Sequence, residues 1–212
     1  MREDVPFAEG VHSKMPVTSI EVLAKLAAAD PWSFTVLDTL KRKERLEAIT
    51  AVTRLKCWRL DFDIGDPAAA GRTAERLAKE TALLVNPNRD KWCIRSVVER
   101  ARPQSLWRRQ ERSADAFVIK VADREDLVGD GLLKVLRSRL GMREVRGASF
   151  AHLWIVETDV GEPGSRAIAE EVAVSRSWRH GLLSNPHFQC ADIIKGDLYL
   201  PFGELRASEV SV

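Results

Sequence analysis

The sequence predicts an α+β protein made of two copies of one unit, and three observations carry that prediction. A stretch running from Trp58 to Pro87 comes back between Trp154 and Pro186. Each copy opens on an alternating strand pattern and turns at Gly-acid-Pro, Gly65-Asp66-Pro67 in one and Gly161-Glu162-Pro163 in the other. Each then passes through a helix-like segment to a Leu-Leu-x-Asn-Pro exit, Leu83-Leu84-Val85-Asn86-Pro87 and Leu182-Leu183-Ser184-Asn185-Pro186. Signals that recur in one order at a fixed period mark an internal repeat.

Taken in order, residues up to about Val17 lack a period and read as an extended arm. Thr18-Ser19-Ile20-Glu21 has the spacing of a capping box, and Ile20, Leu23, Ala24 and Ala27 fall on one face of the helix it would start. Asp30-Pro31 would stop that helix, because the residue before a proline avoids the helical region. Ser33 to Leu37 fits either a short strand or the start of another helix, and Lys41 to Arg45 is a solvated charged stretch. From Leu55 to Ile64 the alternation is clean, with Trp58, Leu60, Phe62 and Ile64 on one face and Arg59, Asp61 and Asp63 on the other. Asp66 is placed to cap the helix that follows, whose stripe is Ala70, Ala74, Leu77 and Ala78. Proline ends it at Asn86-Pro87, and Lys91 to Val97 reads as a closing strand.

An arginine-rich linker with Arg100, Arg102, Arg108, Arg109, Arg112 and Trp107 comes next. The second unit then begins with a strand, Phe117, Ile119 and Val121 alternating with Val118 and Lys120, followed by a turn at Gly129-Asp130-Gly131. Leu132, Leu136 and Leu140 recur at helical spacing until Gly141. Val145, then a strand from Leu153 to Val156, then a helix that Ser165 could cap, and a last strand from Cys190 to Ile194 complete the unit. Strand, helix, strand, strand, helix, strand is the split βαβ, or ferredoxin-like, order. The expected architecture is therefore a tandem of ferredoxin-like units forming an internal pseudo-dimer of antiparallel sheets, each unit covering the helix-free face of the other. Its divisions are an arm and helix over 1–31, an incomplete first unit over 32–97, the linker over 98–113, the second unit over 114–196 and a tail over 197–212.

The 212 residues carry a formal net charge of +2, which demands neither nucleic acid nor a membrane as partner. No apolar run approaches a membrane span and Met1-Arg2-Glu3-Asp4 starts no signal core, so a cytoplasmic protein is expected. Cys57, Cys93 and Cys190 form no Cys-x-x-Cys pair and read as buried reduced thiols. His152, His180 and His187 match no metal-ligand spacing. Arg59, Asp61, Glu157 and Asp159 share the semi-polar strand faces without a base, nucleophile or metal companion. No phosphate loop and no Gly-x-Ser-x-Gly elbow is present. The expectation is a chain with no catalytic site, metal or cofactor of its own.

Leu140-Gly141-Met142, then Val145, the strand Leu153 to Val156 and Leu182-Leu183-Ser184-Asn185-Pro186 fall in the order, and at the spacing, of the PurS family, the small subunit of phosphoribosylformylglycinamidine synthase. The second unit resembles that family over nearly all of 115–195, and the first unit over its latter half. Arg54-Leu55-Lys56 stands where the family has Arg-x-Gly-Lys, and Ala151-His152 replaces Gly-Lys in the second unit. Leu127-Val128-Gly129-Asp130-Gly131 replaces the family's Leu-Asp-Pro-x-Gly corner. The resemblance implies a non-catalytic accessory subunit of a glutamine-dependent ATP ligase in purine synthesis. Its partners would be a PurQ-like glutaminase and a PurL-like synthetase, with self-association through sheet faces. The residues expected at a partner interface are Lys56, Arg59, Asn86, Pro87, His152, Asn185 and Pro186. The alternative is a ferredoxin-like interaction or ligand-sensing module unrelated to purine synthesis.

Overall fold

Two long strands, β2 (Ile49–Phe62) and β5 (Val145–Thr158), lie side by side at the centre of the structure, a computed structural model that describes residues 17–97, 115–176 and 181–195. The arm to residue 16, the linker over 98–113, the tail over 197–212 and His180 lie outside the described residues. The first repeat contributes β1 (Thr18–Leu26), α1 (Pro31–Arg42), β2, α2 (Pro67–Glu80) and β3 (Asp90–Ser96). The second contributes β4 (Asp115–Asp123), α3 (Leu127–Ser138), β5, α4 (Glu162–Ala173) and β6 (Gln189–Lys195). All six strands form one antiparallel sheet in the order β3-β1-β2-β5-β4-β6.

The repeats are therefore joined edge to edge, not stacked face to face as the sequence led us to expect. In the second repeat, what was read as two short strands is one strand of 14 residues, and in the first repeat the strand expected from Leu55 to Ile64 starts already at Ile49. The physical reason is legible in β2: between Ile49 and Phe62 there is no glycine, proline or Asn-Gly pair to turn a hairpin, so the strand continues. Continuing, it carries its first half beyond its own repeat and pairs it with β5.

The register of that pairing has a local twofold. Lys56 sits opposite His152, with Trp58 opposite Phe150 and Arg54 opposite Trp154 on either side. The shift that carries Trp58 onto Trp154 also carries Lys56 onto His152, so the twofold passes through this pair. β1 begins to pair with β2 only at Lys56, and β4 with β5 only at His152. The first half of each long strand thus has a strand neighbour on one side alone, and its outward backbone groups need other partners. Helix starts supply them: Arg54 N–H donates to Ser33 Oγ (3.1 Å) and Phe150 N–H to Asp126 Oδ2 (2.6 Å).

The helices sort into pairs drawn from both repeats. Ala70, Ala74 and Leu77 of α2 pack with Leu132 and Leu136 of α3 over Ile20, Leu60 and Phe62. Val36 and Leu40 of α1 pack with Ala169 and Val172 of α4 over Ile49, Ile119 and Val156. Leu40, Leu60, Phe62 and Leu136 are fully buried, each worth about 1.5–3 kcal/mol relative to exposure. Trp58 and Trp154 face the helices. A third cluster, Leu23, Leu55, Val118, Leu153 and Ile155, spans the seam on the opposite face.

Several local expectations change. Thr18–Leu26 is a strand, not a helix. Flanked by β3 and β2, it buries Ile20 through Ala24 on both faces, so no alternation shows, and Ile20, Leu23, Ala24 and Ala27 imitate a helical stripe. Asp30-Pro31 starts α1 instead of stopping a helix: Asp30 is the N-cap, accepting from Trp32 N–H and Ser33 Oγ. α3 includes Gly129 and Gly131, which the sequence suggested were a turn. At Gly129 the helix presses on β5 so closely that a Cβ would stand 2.6 Å from Ala148 O. Asp66 caps α2 as expected, whereas α4 starts at Gly161 without a side-chain cap and Ser165 Oγ turns back to Val160 O (2.7 Å).

Candidate functional site

The midline of the helix-bearing face, where the two helix pairs part over the Lys56–His152 pair, gathers most of the residues the sequence singled out. Their positions follow from the elements that end there. β1 and β4 run into it and lead to α1 and α3, while β3 and β6 leave it after the two Asn-Pro exits.

On one side of the twofold the charges are closed into pairs. Arg54 meets Asp30 with two nitrogens, Nε at 3.1 Å and Nη2 at 3.2 Å, and its guanidinium lies 5.4 Å from the Trp32 ring centre and 5.8 Å from that of Trp154. Planar guanidinium suits both the forked carboxylate contact and the ring faces. Lys56 Nζ lies 3.3 Å from Asp90 Oδ2, and the same oxygen accepts from Asn86 N–H at 3.0 Å. Trp58 donates through Nε1 to Leu84 O (2.8 Å) and packs against Phe150, with ring centres 4.6 Å apart.

Across the twofold the arrangement is incomplete. His152 replaces Lys56, and Gln189 stands where the first repeat has Asp90, accepting from Asn185 N–H (3.0 Å) and donating to Asp123 (2.9 Å). The imidazole is left without an acidic neighbour at that position, and its Nδ1 is buried with no hydrogen-bond partner among the described residues. Burial, then the Arg54 charge, pushes the His152 pKa below its ordinary value, against smaller opposite pulls from the Leu55 backbone and Asp123. A histidine held neutral in the fold stabilises it fully above the unfolded pKa of about 6.5 and loses that contribution as pH falls from there towards the lower folded value. Denaturation midpoints measured from pH 7.5 down to 5 are expected to fall more steeply for the native chain than for His152→Leu. Parallel profiles would contradict the assignment.

The Asn-Pro exits are built alike and explain their own recurrence. Asn86 Oδ1 accepts from Asn88 N–H and Asn185 Oδ1 from His187 N–H, at 3.1 and 3.0 Å. The Asn86 and Asn185 carbonyls each accept two further N–H groups, from Arg89 and Asp90 and from Phe188 and Gln189. These are Asx-type turns that aim the chain into β3 and β6, so Asn86, Pro87, Asn185 and Pro186 reach the midline as turn builders. Arg59 does not join them. It faces the other side of the sheet, where it binds Asp61 (3.0 Å) and Ser19 (3.0 Å).

The contacts that sequence reading missed are those of Arg54 with Asp30 and of Lys56 with Asp90 at the midline, and of Glu21 with Arg95 on the opposite face. Asp30-Pro31 repeats the cap-and-proline grammar recognised at Asp66-Pro67, so that signal was present. Asp90 and Arg95 carry no local signal, because their partners are distant in the chain.

Burial pushes the thiols of Cys57 and Cys93 up to about 11, which leaves them protonated and poorly nucleophilic at neutral pH. Both sit opposite Leu23 from neighbouring strands, about 10 Å apart and beyond disulfide reach. Cys190, expected to be buried, is exposed in the edge strand β6. Among the described residues no three His, Cys, Asp or Glu side chains converge as metal ligands, and no helix is long and apolar enough to cross a membrane. No protein-family model matches the chain, and no curated protein matches it.

Proposed function

We propose that the chain is a non-catalytic, PurS-like subunit of phosphoribosylformylglycinamidine synthase, built as two ferredoxin-like layers that have exchanged their second strands. Each layer would be one half of the sheet: β3, β1 and the second half of β2 with the first half of β5, under α2 and α3, and its twofold counterpart under α1 and α4. The observation that carries the reading is the Lys56–His152 pair at the centre of one continuous sheet. It would join the two repeats into a single platform with two equivalent ends. The Leu-Leu-x-Asn-Pro exits support the family resemblance, because in both repeats they build the same turn at the same place.

Such a platform serves geometry. Formylglycinamide ribonucleotide, glutamine, ATP and water become formylglycinamidine ribonucleotide, glutamate, ADP and phosphate. The ammonia passes from a PurQ-like glutaminase to a PurL-like synthetase, and the platform holds the two so that it does not escape. The test is reconstitution with these two subunits from the same host. Product formation from glutamine is expected to require the chain, while product formation from ammonium salts is not. Equal glutamine-dependent rates with and without the chain, and no complex on gel filtration, would leave the other reading, an interaction module outside purine synthesis.

A further inference from the structure

The exposed apolar side chains are not scattered. Nine large hydrophobic residues are exposed among the described residues, and seven of them belong to the four segments that meet at the midline of the helix-bearing face. Trp32 (62% exposed) and Phe34 (63%) start α1, and Leu127 (73%) and Val128 start α3, the twofold counterpart of α1. Leu83 lies in the exit before β3, and Leu182 and Phe188 (70%) in the exit before β6. Only Val17 and Leu140 fall elsewhere.

We infer that this belt is a self-association surface, on which a second copy of the chain docks about a twofold axis. Three features select that occupant. The cations on the floor, Arg54 and Lys56, are already paired with Asp30 and Asp90, so neither is left over to recruit nucleic acid or an acidic peptide. Its apolar clusters recur across the local twofold through Lys56 and His152, and an isologous contact uses one patch twice. With about 150–250 Å² for a whole aromatic side chain and less for Leu or Val, the exposed fractions amount to roughly 700 Å². That is close to the ~800 Å² each partner contributes to a standard interface. The surface lies on the helix side, away from the helix-free face of the sheet, and the inference does not depend on the enzymatic assignment.

Analytical ultracentrifugation of the full chain tests it with two independent pairs of substitutions, Phe34→Glu with Phe188→Glu and Leu127→Glu with Val128→Glu. All four sites are exposed, and an acid at residues 34, 127 or 128 sits in the first turn of a helix, where it suits the helix dipole. Leu140→Glu at the far end of α3 is the control. The native chain and the control are expected to be dimers, and each pair to raise the dimer dissociation constant at least about 30-fold with an unchanged circular dichroism melt. A native chain that stays monomeric at its highest soluble concentration would overturn the inference, including one that captures a different protein through the belt. So would a dimer that survives either folded pair.

Discussion

Gly181→Ala is expected to destabilise the fold by at least about 3 kcal/mol, combining left-handed backbone strain with overpacking against immobile neighbours. Gly181 has φ of +79°, and a Cβ there would stand 1.7 Å from the Val174 carbonyl oxygen and 2.4 Å from its carbon. Those are backbone atoms that cannot step aside, because the exit from α4 is fastened to them. Leu182 and Leu183 N–H both donate to Val172 O, Ser175 N–H to Ser184 O, and Ser184 Oγ to Ala173 O. The residue before the second Leu-Leu-x-Asn-Pro exit is therefore tied to glycine by the approach of the chain to its own helix end. Denaturant titration followed by far-ultraviolet circular dichroism gives the size of the loss. A change below about 1 kcal/mol, within the range of an ordinary surface substitution, would mean that the approach is not as close as described.

Removing the carboxylate of Glu21 is the second large loss, about 3–5 kcal/mol for Glu21→Ala, the usual cost of stranding one half of a buried ion pair. Glu21 lies in β1 between Arg59 and Arg95 of its two neighbouring strands. Its side chain is 1% exposed and Arg95 is 14% exposed, with Arg95 Nε and Nη2 at 2.8 and 2.6 Å from Oε2. A charge so placed is expensive alone and roughly neutral when matched, since desolvation offsets most of the attraction. The double substitution Glu21→Leu with Arg95→Leu is accordingly expected to return to within about 1–2 kcal/mol of the native chain, Leu23 and Leu55 supplying apolar neighbours on that face. If the double change costs as much as the sum of the singles, the loss comes from strand packing and not from the stranded arginine.

How far these features could be read from residues alone depends on whether the interactions that make them are local. Trp58, Leu60 and Phe62 alternate because a strand with one covered face must, and the cap-and-proline pair at Asp66-Pro67 starts α2 by contacts within four residues. Such elements were legible. β1 was not, because burial on both faces erased its alternation and the remaining apolar spacing copied a helix. The joining of the repeats was not legible either. Recurrence of Trp58 and Trp154 shows that two units exist, but whether they stack or zip depends on the register between β2 and β5, which no residue encodes by itself.

The midline site divides in the same way. Lys56, His152 and the Asn-Pro exits were found because they hold equivalent places in the repeat, and the fold brings them to one zone for that reason. Arg59 was expected at the same interface, yet strand alternation puts it on the opposite face. Asp30 and Asp90 reach Arg54 and Lys56 from 24 and 34 positions away in the chain, a separation at which residue spacing gives no sign of contact.

The edge-to-edge joining of the repeats is tested most directly by a cross-link at its centre. With Cys57, Cys93 and Cys190 replaced by alanine or serine, Lys56→Cys with His152→Cys places two thiols on directly opposed residues of an antiparallel pair, whose Cα atoms are about 4.5–5.5 Å apart and within disulfide reach. Mild oxidation is expected to close an intramolecular disulfide in the folded chain, seen as a shift on non-reducing electrophoresis. Lys56→Cys with Glu157→Cys, a residue that pairs with Ala51 instead, is expected to remain open. Repeats stacked face to face would hold residues 56 and 152 about 10 Å apart, so a first pair that stays reduced, or cross-links no faster than the second, contradicts the account.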